Sequence, residues 1–222
     1  MGDFSLLLFC LGGLTLGIIV SFSYILILLI LSKILPFAKE EYSRKFVHIL
    51  SSNWWFICIK FFDNIYEPLF ITCSFLIVNI INYKYPIFIS IKRTENNSLG
   101  EIFYSIGFII LVLISYTIGD LKIGLLGSLV MGYADGLAAI IGTSFPYKKF
   151  YNNKTLSGCI TFFCVTAIIY RFITLTAQIN LAYIIEIILV SLMLTLIEFM
   201  SNKGIDNIFI PIFSAIFYML LV

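Results

Sequence analysis

Apolar runs separated by short polar breaks fill the chain, at positions 4–31, 46–62, 68–81, 101–118, 123–145, 158–175, 181–199 and 208–222. Crossing a bilayer as a helix takes about 20 residues at about 1.5 Å each. The first and fifth runs meet that easily, whereas the second, third and eighth are short. Ile- and Phe-rich stretches such as the one around Ile109 would suit strands in water. In lipid, however, an open sheet edge leaves backbone groups unpaired. A closed barrel would need polar and apolar residues to alternate, and these runs do not. The pattern therefore predicts an all-α, polytopic membrane helix bundle of about eight transmembrane helices. It forms a single integral membrane domain over 1–222. The first run lacks a basic flank and is far longer than a signal-peptide core, which predicts a retained helix.

Composition strengthens that reading. Hydrophobic residues make up 61% of the 222 and charged residues 12%, against about 25% charged in soluble domains. Mean hydropathy is +1.06. A water-soluble fold would expose more apolar surface than a monomer tolerates. The net charge of +2 gives no reason to expect nucleic acid as a partner. Cys10, Cys58, Cys73, Cys159 and Cys164 form no C-x-x-C pair and lie in apolar runs, so they read as small hydrophobes. His48 is the sole histidine, which argues against an ordinary zinc site.

The placement of charge predicts sidedness. With the loop after the first helix cytoplasmic, the loops on that side hold Lys33, Lys39, Arg44, Lys45, Lys84, Lys92, Arg93, Lys148, Lys149, Lys154 and Lys203. The other side holds Lys60, Lys122 and Arg171. By the positive-inside rule this puts both termini outside. The sequons at 96–98 and 153–155 then fall on the cytoplasmic side and should stay unglycosylated.

Three polar clusters converge on that face. In the fifth run, Gly124, Ser128, Gly132 and Gly136 recur every four residues, beside a second small stripe of Ala134, Ala138 and Gly142. Small residues at this spacing let helices approach closely in lipid, predicting a central helix. Within it sits Asp135, a carboxylate costing about 2.5–3.5 kcal/mol at mid-bilayer. It reads as an interhelical hydrogen-bond partner or, facing a wet cavity, as a metal ligand or catalytic base. Beyond it, Lys148, Lys149, Lys154 and Thr155 supply cations and a hydroxyl for phosphate, or simply a positive-inside loop. A second cluster, at 40–48, puts Arg44 and His48 four apart on one helical face. The third joins Glu198 to 201–207, where Gly204 suits a helix C-cap and Asp206 an N-cap.

These residues resemble a family, the CTP-dependent lipid-alcohol kinases, which includes dolichol kinase, phytol kinase and the fungal-type diacylglycerol kinase. Arg44 to His48 is similar to that family's R-K-x-x-H stretch. Asp135 to Gly142, followed by Lys154 to Gly158, resembles its G-D-x-x-A-x-x-x-G and K-T-x-E-G pair. Glu198 with Asp206, Asn207 and Pro211 resembles its E…D-N-x-x-x-P ending. The resemblance runs from about Glu41 to Pro211. Two residues depart from it: Ala134 stands in place of a glycine, and Ser157 in place of a glutamate whose role Glu198 or Asp206 would have to cover. CTP:phosphatidate cytidylyltransferases share a similar G-D…K-T-x-x-G region but end in a longer, more basic signature that is absent here.

The resemblance implies CTP as phosphoryl donor, Mg²⁺, and a lipid alcohol (phytol, polyprenol or diacylglycerol) as acceptor. It implies nucleotide or phosphate binding by Arg44, Lys45, Lys148, Lys149, Lys154, Thr155 and Asn207, and metal binding by Asp135, Glu198 and Asp206. Asp135 or His48 would take the acceptor's proton. A small transporter using Asp135 as an ion site is the competing class, disfavoured because no broken-helix pair is evident. Two stability expectations follow. Lys154, in a wet loop, should be removable at a cost of no more than about 0.5 kcal/mol. Asp135→Asn should leave stability unchanged or raise it, because a desolvation cost disappears.

Overall fold

Small residues decide which helix lies at the centre. In a computed structural model of the chain, the described residues are 2–37, 40–85, 99–150, 154–174 and 180–222, the side chains of 2–15 and 40 excepted. They form α1 (Gly2–Ile34), α2 (Glu40–Ser51), α3 (Trp54–Phe61), α4 (Tyr66–Lys84) and α5 (Gly100–Ile118). These are followed by α6 (Leu121–Leu129), a π turn (Val130–Ala134), α7 (Asp135–Ser144), α8 (Leu156–Ile173), α9 (Leu181–Met200) and α10 (Asp206–Leu221). Each of the eight apolar runs becomes helix. Among the described residues, six helices are long and apolar enough to span a membrane, with α6, the π turn and α7 counted as one.

That composite helix is the centre. Its span is 67% buried, against 22–33% for the other five, and α2, α3, α5, α8 and α10 all pack on it. The two small stripes explain why. Gly124, Gly132 and Gly136 lie against Trp55, Ser52 and Ile49 of the α2–α3 segment, while Gly142 meets Thr155 and Gly158 of α8. At Gly124 the approach is closest, and a Cβ there would fall inside the indole of the fully buried Trp55. Gly124→Ala is expected to cost about 1–3 kcal/mol, the usual penalty for overpacking. An unchanged thermal midpoint in detergent would show that α3 does not seat on α6.

The second run is not one continuous helix. It divides at Ser52–Asn53 into an amphipathic α2 and an apolar α3. The amides of Ser52 and Asn53 close back on the carbonyls of Ile49 and Leu50, so both stay paired across the break. It brings Trp54 and Trp55 into the core together. Their Nε1 groups donate to Ser21 Oγ at 2.9 Å and to the Leu121 carbonyl at 2.8 Å.

The capping expectations at the last loop both shift. Gly204 takes the left-handed conformation at φ +89°, but α9 ends at Met200 with Ser201 as its C-cap, three residues earlier, and Ile205, not Asp206, occupies the N-cap of α10. Asp206 opens the first turn, and its carboxylate accepts the Asn207 amide at 3.1 Å. Positions 39, 92, 93, 96–98 and 153, used above for sidedness and sequons, lie outside the described residues.

Candidate active site

α2 carries Arg44, Lys45 and, in its last turn, His48, all buried. Lys45 and His48, three residues apart, face α7 together. Lys45 Nζ donates to Asp135 Oδ2 at 2.5 Å, and His48 Nε2 stands 3.3 Å from the same oxygen. His48 Nε2 is also 3.1 Å from the Met131 carbonyl. With an oxygen acceptor on both sides, Nε2 carries the ring proton and donates it. The π turn supplies this arrangement. Such a turn is rare, widens the helix and recurs at functional sites. Here it runs up to Asp135 and includes Met131, so both of His48's acceptors depend on it.

Arg44 turns elsewhere. Its Nε and Nη2 form a fork on Glu41 at 3.0 and 2.5 Å. Burial opposes its charge, but Glu41, with Glu101 and Asp135 nearby, outweighs burial and holds the guanidinium above its ordinary pKa.

A second ion pair lies at the same end of the bundle. Lys154 Nζ donates to the Glu198 carboxylate and, at 2.7 Å, to the Glu198 carbonyl. Burial opposes the Lys154 charge, yet Glu198 and Asp206 hold its pKa above the ordinary lysine value. The lysine's contribution is thus fully present below its unfolded pKa and is lost only as alkali passes the raised folded value. The expectation of a wet, dispensable Lys154 is overturned, because its partner Glu198 is buried and would be left unpaired. For the same reason Asp135→Asn is not neutral, since it would strand Lys45, which is only 4% exposed.

The remaining expected residues divide. Thr155 is the N-cap of α8, its hydroxyl oxygen accepting from the Gly158 amide at 3.1 Å. Lys148 and Lys149 sit exposed on the 145–150 loop, and a bridge between Lys149 and Thr155 closes that loop. Ser157 anchors it by donating to the Phe145 carbonyl at 2.8 Å. The departure from the family glutamate therefore has a structural job here. Asn207 donates to the Gly100 carbonyl at 2.9 Å, tying α10 to the start of α5. Pro211 has no amide to bond the Asn207 carbonyl four residues back, and that carbonyl lies against Gly107 of α5.

Sequence reasoning missed Tyr104 and the π turn. Tyr104 donates to the His48 carbonyl at 2.8 Å, and its ring lies 4.2 Å from the imidazole. No sequence signal marks either feature. Glu41 was findable, standing three residues before Arg44 on one helical face.

Among the described residues, no three His, Cys, Asp or Glu side chains gather into a ready-made cation site. Magnesium usually takes one or two carboxylates and completes its shell with substrate phosphates and water. Asp135 and Glu198 are hard oxygen donors suited to that. Each is paired with a lysine, and their charges act on one another and on Asp206.

The chain is similar to the phytol kinase of Synechocystis sp., at 27% identity over 194 residues, which cover 82% of this chain and 80% of that protein. It is also similar to an uncharacterized protein of Methanocaldococcus jannaschii, at 33% identity over 127 residues, 56% of this chain and 60% of that one. No family model and no solved structure matches. With the three ordered motifs, the first likeness supports membership of the CTP-dependent lipid-alcohol kinase family.

Proposed function

We propose that this protein transfers the γ-phosphoryl group of CTP, with Mg²⁺, to the hydroxyl of a membrane lipid alcohol at the cytoplasmic face. The observation that carries this reading is the buried Lys45–Asp135–His48 centre beside the Lys154–Glu198 pair. Likeness to a phytol kinase over most of the chain supplies the reaction class.

The two pairs explain how charged substrates enter a low-dielectric site. Without substrate, the buried Lys45 and the partly exposed Lys154 are each neutralised by a carboxylate. Lys45 and Lys154 would hold the phosphates of a magnesium nucleotide, and Asp135 and Glu198 would hold its metal. Bound there, the metal would offset charge developing on the transferred group. The exposed Lys148 and Lys149 add long-range attraction for the triphosphate. His48 holds the Asp135 carboxylate through Nε2–H. The acceptor's proton then goes to Asp135, or to His48 through Nδ1, since Nε2 is already protonated.

Purified protein, CTP labelled in turn at γ-phosphate and cytidine, and a panel of lipid alcohols test the reading. Label from γ-phosphate on the lipid is the expected result. Cytidine retained on the lipid would make this a cytidylyltransferase. Absence of both labels from the lipid would reopen transport.

A further inference from the structure

Two backbone irregularities face each other beside His48. One is the α2–α3 break at Ser52–Asn53, and the other is the π turn at Val130–Ala134. They meet at two successive residues. Gly132 lies so close to Ser52 that a Cβ on the glycine would fall 2.5 Å from that of the serine. Beside it, the Tyr133 hydroxyl donates to Asn53 Oδ1 at 3.2 Å and accepts from Asn53 Nδ2 at 3.0 Å. Asn53 gives up its usual partner to do this. It stands at the N-cap of α3, where asparagine ordinarily accepts from a helix amide, yet its side chain makes no cap bond.

Each irregularity also frees a carbonyl that holds His48. In a regular helix the Asp135 amide would bond the Met131 carbonyl. Here it bonds Gly132 instead, and the Met131 carbonyl lies 3.1 Å from His48 Nε2. In an unbroken α2 the Ser52 amide would bond the His48 carbonyl. Here it bonds Ile49, and the His48 carbonyl accepts from Tyr104 at 2.8 Å and from Ser51 at 3.1 Å. The break thus pins the histidine's backbone, while the π turn supplies acceptors for its ring. A π turn has an α-helical alternative. That alternative would return the Met131 carbonyl to Asp135 and rotate Asp135 about its helix axis relative to Lys45 and His48. Tyr133 lies inside the turn, so the same slip would carry its hydroxyl off Asn53.

We propose that Asn53 and Tyr133 form a clasp that holds the π turn against the α2–α3 break, and that both are positioning residues for His48 and Asp135. By keeping the Met131 carbonyl and the Asp135 carboxylate within reach of one ring nitrogen, the clasp fixes the proton on Nε2 and leaves Nδ1 without one. The inference rests on the kinase reading only for the reaction that this geometry serves.

His48 is the sole histidine, so nitrogen NMR of the full chain in detergent, carrying isotope-labelled histidine, reports this ring alone. The unsubstituted protein should show a single tautomer, protonated at Nε2. Tyr133→Phe keeps the ring and loses the hydroxyl, and Asn53→Leu keeps the volume and loses the amide. Each should add a second set of signals from a ring protonated at Nδ1. Each should also lower kcat for phosphate transfer from CTP at least about tenfold, with KM for CTP held within about twofold, and the double variant should be no worse than either. Tyr170→Phe is the comparison. It removes a buried bond of 2.9 Å to the Ser214 carbonyl, between α8 and α10, and should lower the thermal midpoint without altering the His48 spectrum or kcat. Unaltered His48 signals in Tyr133→Phe would overturn the clasp, and so would a ring protonated at Nδ1 in the unsubstituted protein. If Asn53→Leu does not fold, the nearly isosteric Tyr133→Phe decides alone. Altered signals in the variants, with no phosphate transfer by the unsubstituted protein to any alcohol, would support the clasp and overturn the kinase reading instead.

Discussion

Asp135→Asn is expected to slow lipid phosphorylation by at least about 10²-fold, the low end for loss of an acid–base group, and to destabilise the protein as well. The two effects have separable causes. Asn is nearly isosteric and still hydrogen-bonds, so packing around the π turn is kept. What disappears is the negative charge facing Lys45 at 2.5 Å. Lys45 is 4% exposed, and its ammonium would be left buried without an anion. Breaking a buried pair from one side costs about 3–5 kcal/mol. Adding Lys45→Met removes the stranded charge with a side chain of similar length. The double variant should recover most of the lost stability and stay inactive. Urea or thermal unfolding in detergent, run beside the labelled-CTP assay, reads both. If Asp135→Asn alone phosphorylates lipid at a near-normal rate, Asp135 is not in the site.

The same residue shows how much was legible in the sequence. An acidic residue in an apolar run, flanked by two stripes of small residues, was enough to expect a central helix with a polar purpose. Helix existence followed from hydropathy, because lipid leaves the backbone few alternatives. The partners of Asp135 were not legible. Lys45 stands 90 residues away, and only the approach of α2 to α7 brings it there. Local periodicity also cannot register a π turn, which shifts everything after it by a fraction of a turn. The break at Ser52–Asn53 was hidden for a related reason: no Pro or Gly marks it, and Ser51, Ser52 and Asn53 interrupt the apolar run for only three residues. Lys154 was misjudged because a lysine after a loop of polar residues reads as solvated. Its position is fixed by Glu198, which the sequence placed in a different polar cluster on the same membrane face.

The Lys154–Glu198 pair gives the second large effect. Lys154→Ala is expected to destabilise the protein by about 3 kcal/mol, six times the loss a solvated loop lysine would cause. The Glu198 carboxylate, buried at the end of α9, would lose the ammonium that donates to it and to its own carbonyl. Lys154 is 20% exposed at its side chain against 6% for Glu198, so the carboxylate bears most of the penalty. That asymmetry makes a directional prediction. Glu198→Gln should be milder than Lys154→Ala, because the freed lysine can reach water and still has Asp206 nearby. Combining the two should cost less than the sum of the single variants, with a coupling of at least about 1 kcal/mol in a double-mutant cycle. Nucleotide affinity separates structure from function. Lys154→Ala/Glu198→Gln should regain stability yet bind CTP at least tenfold more weakly, about 1.4 kcal/mol. Unchanged affinity in a stable double variant would confine the pair to holding the 145–155 loop against α9 and take Lys154 out of the phosphate site.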